Sequence, residues 1–243
     1  MEFNSLLAWK TEGIRLSFFT ITAGIDHSKW WEFFTGYGPE NTSSKPAMGE
    51  FVYAGPYGIG VLELRILPDR VDWVYGTNIL IAQDNASHGV FNNELKFILN
   101  GLNLWMRNYS GKYSRLAFGT TLLNEVPDKR TGYIQLNELL PFMKISLDSW
   151  SDFYLQFNKP VIISRKNGDS FNLNRLVNYS SVHMQMMNFT SGSLMPITNN
   201  YTRIDFDINT SHEVTKDFNN DDVLHLLDKL TDVVGAVKSA SEA

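Results

Sequence analysis

Alternating hydrophobic and polar positions in the first half of the chain predict a strand, a short helix, further strands and a long helix. Residues 12–24 alternate apolar side chains such as Leu16 with polar ones such as Arg15, as a half-buried strand does. Asp26 can then cap a short helix that ends at the glycine- and proline-containing segment 36–39. The remaining predicted elements of this half are a loop at 38–48, strands at 51–54, 58–67 and 70–75, an apolar run at 79–81 that extends the last strand or forms its own, and a helix at 87–107.

The second half of the chain repeats this order of elements. Its patterns predict strands at 113–123, 152–157, 161–164, 173–189 and 201–208, a helix within 132–142 and a last helix at 220–237. Asn167-Gly168-Asp169, between two of these strands, is a hairpin signal. In the last helix the apolar positions share one face, and Asp221 and Asp222 are favourable at its start because of the helix dipole.

Two short motifs recur at matching places in this order and favour an internal duplication. Arg15-Leu16-Ser17-Phe18 and Arg115-Leu116-Ala117-Phe118 lie in the first strand of each half, and Phe91-Asn92-Asn93 and Phe218-Asn219-Asn220 precede or open the helix that ends each half. The alternative is that Arg-Leu-x-Phe is a common strand pattern, since Arg203-Ile204-Asp205-Phe206 is similar and lies out of register. We expect an α+β fold with a mainly antiparallel sheet, in which two β-α-β-β-β-α halves (1–110 and 111–243) pack as one globular unit about a pseudo-twofold axis.

Composition and charge narrow the classes of protein that fit this chain. The 243 residues are 43% hydrophobic, which allows a sizeable core, and the net charge of -5 comes without any dense run of Lys and Arg, so nucleic acid is a disfavoured but not excluded partner. Without cysteine there is no disulfide, thiolate zinc site or cysteine nucleophile. The first residues do not form a secretory signal, and no apolar run approaches the roughly 20 residues that span a bilayer, so we expect a cytoplasmic protein that does not enter membranes.

Two carboxylates on one predicted strand are the first candidates for chemistry. Asp205 and Asp207 are two residues apart and share one face of the strand, where paired carboxylates can hold Mg²⁺ or divide acid and base roles. The same spacing fits the solvated face of a strand whose Ile204 and Phe206 fill the core. No calcium-binding type of loop accompanies the pair, and we therefore favour the solvated-face interpretation.

The basic residues and histidines give a second, weaker set of candidates. None of the five histidines has a metal-binding spacing, and the chain has no phosphate-binding loop or serine nucleophile motif, so the sequence predicts neither a metal nor a cofactor. His183 can line a soft pocket beside Met184, although a packed or partly exposed strand histidine is the favoured interpretation. A ligand site between the two halves would draw on Arg115, His183, Arg203, Asp205 and Asp207.

Aromatic residues on the predicted helices are candidates for a protein interface. Trp30, Trp31 and Phe34 belong to a group of four aromatics within five positions, which cannot all face one side of a helix. At least one of them should therefore face the second half or a partner, and Trp105 on the long helix is a candidate of the same kind. The alternative, a core role, is the commoner one for such clusters.

Three segments resemble a known family. The hairpin Val61–Trp73, the strand Ser114–Phe118 and the closing strand Asp205–Ile208 with its terminal helix together resemble a sporadically distributed prokaryotic family of proteins of unknown function and similar length. The resemblance follows the order of most of the chain and supplies no catalytic residues. The patchy distribution of that family implies an accessory gene, a class that includes the genes of phage defence.

The sequence thus leads to two expectations about function. The first is a non-enzymatic interaction or scaffold subunit of a cytosolic bacterial accessory system, which binds a protein partner or further copies of itself, because no catalytic constellation is assembled in the sequence. The alternative is a small-molecule-binding protein or hydrolase with its pocket between the two halves.

Overall fold

The computed structural model describes residues 6–77, 89–165, 168–190, 193–211, 214 and 216–235. Within them the protein has an α+β fold with one ten-stranded antiparallel sheet and five α-helices. The strands are β1 (Lys10–Phe19), β2 (Asn41–Lys45), β3 (Glu50–Tyr57), β4 (Gly60–Leu67), β5 (Arg70–Thr77), β6 (Arg115–Val126), β7 (Tyr154–Asn158), β8 (Val161–Ser164), β9 (Ser170–Thr190) and β10 (Ser193–Thr210). The helices are α1 (Trp30–Thr35), α2 (Phe91–Asn108), α3 (Lys129–Leu139), α4 (Asn220–Asp228) and α5 (Leu230–Gly235). None of these helices is long and apolar enough to cross a membrane.

The order of the strands brings the first strands of the two predicted halves together. The sheet runs β2-β3-β4-β5-β1-β6-β10-β9-β7, and β8 also pairs with β9. β1 and β6 are therefore neighbours near its centre, and one continuous sheet joins the two parts of the chain. The predicted α+β class with a mainly antiparallel sheet is confirmed.

The described helices cover one face of the sheet, which we call the helix face. Each helix contacts buried side chains of this face: Phe34 of α1 stacks on Trp73, Trp105 of α2 packs on Phe18, Gly132 of α3 lies against Thr202, and Val223 of α4 and Leu230 of α5 line a cavity with Leu16. Side chains alternate between the two faces of a strand. The intervening positions, such as Arg15 and Gly119, therefore lie on the opposite face, which no described helix covers and which we call the open face.

Local hydrogen bonds set the starts of two helices. The Asn219 side chain accepts a hydrogen bond from the backbone N–H of Asp222 (2.9 Å), and the Asp222 carboxylate accepts one from the N–H of Asn219 (3.3 Å), which forms a capping box for α4. Asp128 accepts a hydrogen bond from the N–H of Thr131 (2.7 Å), and this bond holds the pKa of Asp128 below its ordinary value. The cap makes α3 begin at Lys129, ahead of the predicted 132.

Two predicted elements differ from the structure, and a third cannot be compared with it. The predicted loop at 38–48 contains β2, which pairs with β3 although all five of its residues are exposed, so backbone pairing rather than burial defines it. The predicted helix at 220–237 is divided into α4 and α5, because the Lys229 N–H turns back to the carbonyls of both Leu226 and Leu227. The apolar run at 79–81 lies outside the described residues.

Candidate functional site

The candidate site lies at the seam between the two central strands. β1 and β6 pair so that the two Arg-Leu-x-Phe copies lie opposite each other, with Ser17 facing Ala117 at their centre. On the helix face this seam is closed, because the cavity between it and helices α4 and α5 has a volume of only about 20 Å³. That is room for about one water molecule. Any larger ligand site at the described seam is therefore confined to the open face.

On the open face the seam carries a shallow depression of about 400 Å³. Three adjacent strands contribute a glycine to it: Gly76 from β5, Gly13 from β1 and Gly119 from β6. Gly76 and Gly13 lie directly opposite each other across the β5–β1 pair. Since glycine has no side chain, these positions leave the backbone of the sheet open to close approach.

Two of these glycines are not required by the fold itself. A Cβ atom added at Gly76 would meet no heavy atom within 4 Å, and at Gly119 the nearest one would be 3.6 Å away, an ordinary contact distance. Neither residue has a positive φ, so neither backbone conformation depends on glycine. At Gly13 the Tyr75 carbonyl oxygen would lie 3.2 Å from an added Cβ, so that position is tighter.

A charged cluster forms one side of the depression. The Arg203 guanidinium lies 3.2 Å from the Glu12 carboxylate and 2.9 Å from the Asp205 carboxylate, which also accepts a hydrogen bond from Thr121 Oγ1 (2.6 Å). Burial opposes the charged guanidinium, but the hydrogen bonds and negative charge of Asp205, together with Glu12, outweigh it and raise the pKa of Arg203. The Asp205 carboxylate is therefore held in a cluster of one guanidinium and two carboxylates.

Arg15 lies beside this cluster in the depression. It is directly opposite Gly119, and its guanidinium nitrogen Nε is the atom nearest to the place where a Gly119 side chain would begin. Arg15 is exposed and forms no hydrogen bond or ion pair with any residue that the structure describes. Its guanidinium can therefore donate hydrogen bonds to a bound group at the edge of the three glycines, which we call the glycine floor.

Arg115 lies at the other end of the same seam. It is directly opposite Phe19, and its guanidinium carbon lies 5.3 Å from the centre of the Phe19 ring, which Arg70 also approaches to 5.6 Å. Its Nη2 atom donates to the Asn209 side chain (3.0 Å). Arg115 thus shares the open face with Arg203 and Asp205 but not the depression itself.

The two remaining ligand candidates lie outside the depression. Asp207 is exposed, opposite Gly119, and accepts a hydrogen bond from Asn209 (3.1 Å). His183 Nδ1 is hydrogen-bonded to the Asn200 side chain (2.9 Å). Asn200 lies five residues from Asp205 along β10, which is about 17 Å at the rise of an extended strand. By strand alternation Asn200 and Asp205 also belong to opposite faces. His183 is therefore not brought together with the other four candidates.

The four aromatic residues proposed for an interface lie in the core of the protein. Trp30, Trp31, Phe34 and Trp105 are each no more than 1% exposed. Phe34 stacks on Trp73 with ring centres 4.1 Å apart, and Trp30 meets Trp105 edge to face at 5.4 Å. The long helix α2 packs beside α1, which is why aromatics on several sides of α1 are covered at once. None of the four contributes accessible surface to a docking site.

Several residues of the depression were not among the site candidates that the sequence provided. Glu12, Gly13, Arg15, Gly76 and Gly119 come from three strands and meet only through the order of the sheet. The available signal was a glycine inside a predicted strand, as at 13 and 119, since such a glycine weakens a strand and often marks close approach of another molecule.

The groups that line the depression can recognise another molecule by charge and shape. In the part of the chain that the structure describes, no group of three or more histidine, aspartate or glutamate side chains is placed to hold a metal ion. The depression itself contains the Arg15 guanidinium, which pairs with no described residue, an ion cluster of one guanidinium and two carboxylates, and exposed glycine backbone, so it can present both donors and acceptors to a bound group. No protein-family model matches this chain, and no curated protein matches it at a significant level.

Proposed function

We propose that this protein is a non-enzymatic, cytosolic interaction subunit that recognises a protein partner through the open face of its sheet. The observation that carries the proposal is the pair Gly76 and Gly119, which neither packing nor backbone conformation requires at the centre of that face. Antiparallel sheets commonly leave one face in water, so an uncovered face alone does not imply a partner. Glycine inside a strand, in contrast, lowers the stability of the strand. The lower stability is explained if a partner must approach the backbone closely at these glycines.

The charges around the depression support a protein partner. Arg15, Arg203 and Arg115 share the open face with Asp205 and Asp207, so that face carries charges of both signs. A phosphate backbone is bound best by a surface of one sign, whereas protein partners meet mixed surfaces with matching mixed charges. We therefore infer a partner that places a carboxylate near Arg15 and a flat side chain over the glycine floor.

The internal duplication belongs to the same proposal. Its supports are the pairing of the two Arg-Leu-x-Phe copies about Ser17 and Ala117, and the placing of β5 beside β1 and β10 beside β6. Each half also has an isolated β-bridge between the segment before its last helix and the region where its first strand begins. Val90, before α2, pairs with Lys10, and Phe218, before α4, pairs with Tyr113. A pseudo-twofold axis through the seam would make the depression an off-axis feature, since Gly119 in one half corresponds to Phe19 in the other.

Binding of a small molecule at the depression is the second candidate function. A volume of about 400 Å³ lies within the range of ligand pockets, and the polar groups of Arg15 and Arg203 converge on it. The depression is open on one side, and pockets that bury most of a ligand are not. For that reason the protein partner is the function we put first.

The test compares four immobilised proteins: the wild type, Gly76→Leu, Arg15→Glu and the control Gly38→Leu. Gly38 is a matched control because an added Cβ there also meets no atom within 4 Å, its φ is not positive, and it lies in the connection between α1 and β2. Each is incubated with a lysate of the organism that encodes it, and the retained proteins are quantified.

We expect the wild type and Gly38→Leu to retain the same protein, and Gly76→Leu and Arg15→Glu to retain at least tenfold less of it. A tenfold loss corresponds to about 1.4 kcal/mol of binding free energy. Equal retention by all four proteins would contradict the proposal. If no protein is retained but a small molecule is released on denaturing the wild type and not Gly76→Leu, the second candidate replaces the first.

A further inference from the structure

The two edges of the sheet are built differently. At one edge β2 has the sequence Asn-Thr-Ser-Ser-Lys, is fully exposed, and is followed by Pro46. Short polar strands with lysine and proline are the usual protection of a sheet edge against pairing with another chain. At the other edge β7 has the sequence Tyr-Leu-Gln-Phe-Asn and β8 the sequence Val-Ile-Ile-Ser, so neither strand has a charged residue. Among the described strands, each pairs only with β9.

Large apolar side chains are exposed beside this second edge. Phe142 is 65% exposed, Tyr154 62% and Ile162 73%. On the helix face Phe157 stacks on Tyr179 with ring centres 5.8 Å apart, and Phe142 meets Phe157 edge to face at 6.5 Å. The apolar layer of the helix face therefore continues up to the last strand instead of ending beneath a polar rim, which is typical of a surface that another molecule covers.

The residues around β7 fit a second copy of the same strand in antiparallel register. If Gln156 lies on a twofold axis, Leu155 of one copy faces Phe157 of the other on the helix face, and Tyr154 faces Asn158 on the open face. All five residues of the strand are then paired. A shift by two residues, the smallest that keeps apolar side chains on the helix face, leaves the strand ends unpaired.

The charges that flank β7 select the same arrangement. Asp152 precedes the strand and Lys159 follows it. Antiparallel pairing brings the start of one strand beside the end of the other, so Asp152 of each copy lies near Lys159 of its mate. Parallel pairing would instead bring each charge beside its own equivalent, which is unfavourable.

We propose that two copies of this chain associate through β7, antiparallel and centred on Gln156, so that their two sheets become one. The partner is a second copy of the chain rather than another protein, because the strand is uncharged, its flanking charges complement themselves, and its apolar pair Leu155 and Phe157 is matched by the same pair in reverse. The proposed contact is separate from the depression, since β7 lies at the far edge of the sheet from it.

Charge variants at the axis test the proposal directly. In Gln156→Lys two ammonium groups face each other, whereas Ser43→Lys makes the same change at the centre of the β2 edge as a control. We expect sedimentation velocity to show a wild-type dimer whose Kd rises at least tenfold in Gln156→Lys and Gln156→Glu and is unchanged in Ser43→Lys. An equimolar mixture of Gln156→Lys with Gln156→Glu should restore the dimer, because opposite charges then face each other.

A crosslink gives a second measurement that does not depend on affinity. The chain has no cysteine, so Gln156→Cys introduces a single thiol. Directly opposed residues of antiparallel strands have Cα atoms about 4.5–5.5 Å apart, which is within the range that a disulfide spans. Oxidation should yield a covalent dimer for Gln156→Cys and little for Ser43→Cys. A monomeric wild type at all concentrations, or a dimer that neither Gln156→Lys nor Gln156→Glu weakens, overturns the proposal.

Discussion

Replacing glycine by alanine on the floor of the depression should stabilise the protein. In Gly76→Ala the new methyl group meets no atom within 4 Å, so no overpacking opposes the change. Alanine restricts the unfolded chain more than glycine does, and glycine in a strand costs about 0.5–1 kcal/mol relative to alanine. We therefore expect the free energy of unfolding to rise by about 0.5–1 kcal/mol in Gly76→Ala and by a similar amount in Gly119→Ala. In a protein of this size that corresponds to about 1–4 °C in Tm.

The double variant of Gly76 and Gly119 and the variant Gly60→Ala should change stability in opposite directions. Gly76 and Gly119 have no shared neighbour atoms among those nearest to them, so their effects should add, and the double variant should gain about 1–2 kcal/mol. Gly60→Ala is the opposite case, because its methyl group would lie 2.6 Å from the Tyr75 ring and 2.8 Å from the Gly76 carbonyl oxygen. Such overpacking typically costs about 1–3 kcal/mol.

Urea unfolding followed by tryptophan fluorescence measures all four variants. A change in the midpoint at constant m-value reports a change in stability alone. A fall in the free energy of unfolding for Gly76→Ala would refute the reasoning, since glycine would then be needed by the fold and would say nothing about a partner. The expected outcome, greater stability together with weaker retention of the partner by Gly76→Leu, would show that the fold gives up stability at a recognition surface.

Three further predictions concern buried polar groups. Arg175 is 3% exposed, and burial lowers its pKa; among the described residues its guanidinium donates to the Val233 carbonyl in α5 alone (3.1 Å). Arg175→Met should therefore unfold at higher urea concentration than Arg175→Ala, which adds a cavity worth about 2 kcal/mol or more. The Asn220 amide donates to two carbonyl groups at the end of α2 (2.8 and 2.6 Å), so Asn220→Ala should lose about 1–3 kcal/mol in the same assay, whereas Asn219→Gly should lose only a few tenths. Burial raises the pKa of Tyr113 and Tyr179, so both side chains stay neutral in the folded protein, whereas in the unfolded chain they ionise above about pH 10. The contribution to the free energy of unfolding should therefore be fully present below pH 10 and fall above it by up to about 1.4 kcal/mol per pH unit for each tyrosine. Urea unfolding from pH 8 to 11 measures this loss.

Strands with one buried face could be predicted from the sequence, whereas β2, which has no buried face, could not. The alternation around Leu16 and the turn at Pro68 predicted β1, β4 and β5, because a half-buried strand must repeat its apolar residues with a period of two. β2 has no such pattern, since all its residues are exposed. β2 is a strand because it pairs with the edge of β3, and that edge exists only in the folded protein. The same limit applies to β9 and β10. β10 and the end of β9 extend beyond their predicted bounds by pairing with each other, and the start of β9 does so by pairing with β8.

The candidate site was harder to predict than the fold because it depends on which strands are neighbours. Arg203 and Asp205 were singled out as charges on one strand, but Glu12 joins them from β1, two strands away in the sheet. Gly76 and Gly13 become opposite residues only when β5 lies beside β1. No local pattern encodes that order. The aromatic positions of α1 were misleading for a related reason: α2, far along the sequence, covers the side of α1 that its own periodicity leaves apolar.

The two proposed surfaces have a geometric consequence when they are combined. A twofold axis that relates antiparallel neighbours in one sheet runs perpendicular to the sheet, so it keeps both open faces on the same side. Dimerisation through β7 would therefore place the two depressions on one continuous surface, each centred about four strands from the axis, since the depression spans β5, β1, β6 and β10 and β9 lies between β10 and β7. At about 4.8 Å between strands, the depressions would be roughly 40 Å apart. A partner with two matching sites at that spacing would gain avidity of about 10²–10⁴ over a single contact. Gln156→Lys should then weaken retention of such a partner without touching the depression, whereas a partner with one site would be retained equally by the monomer and the dimer.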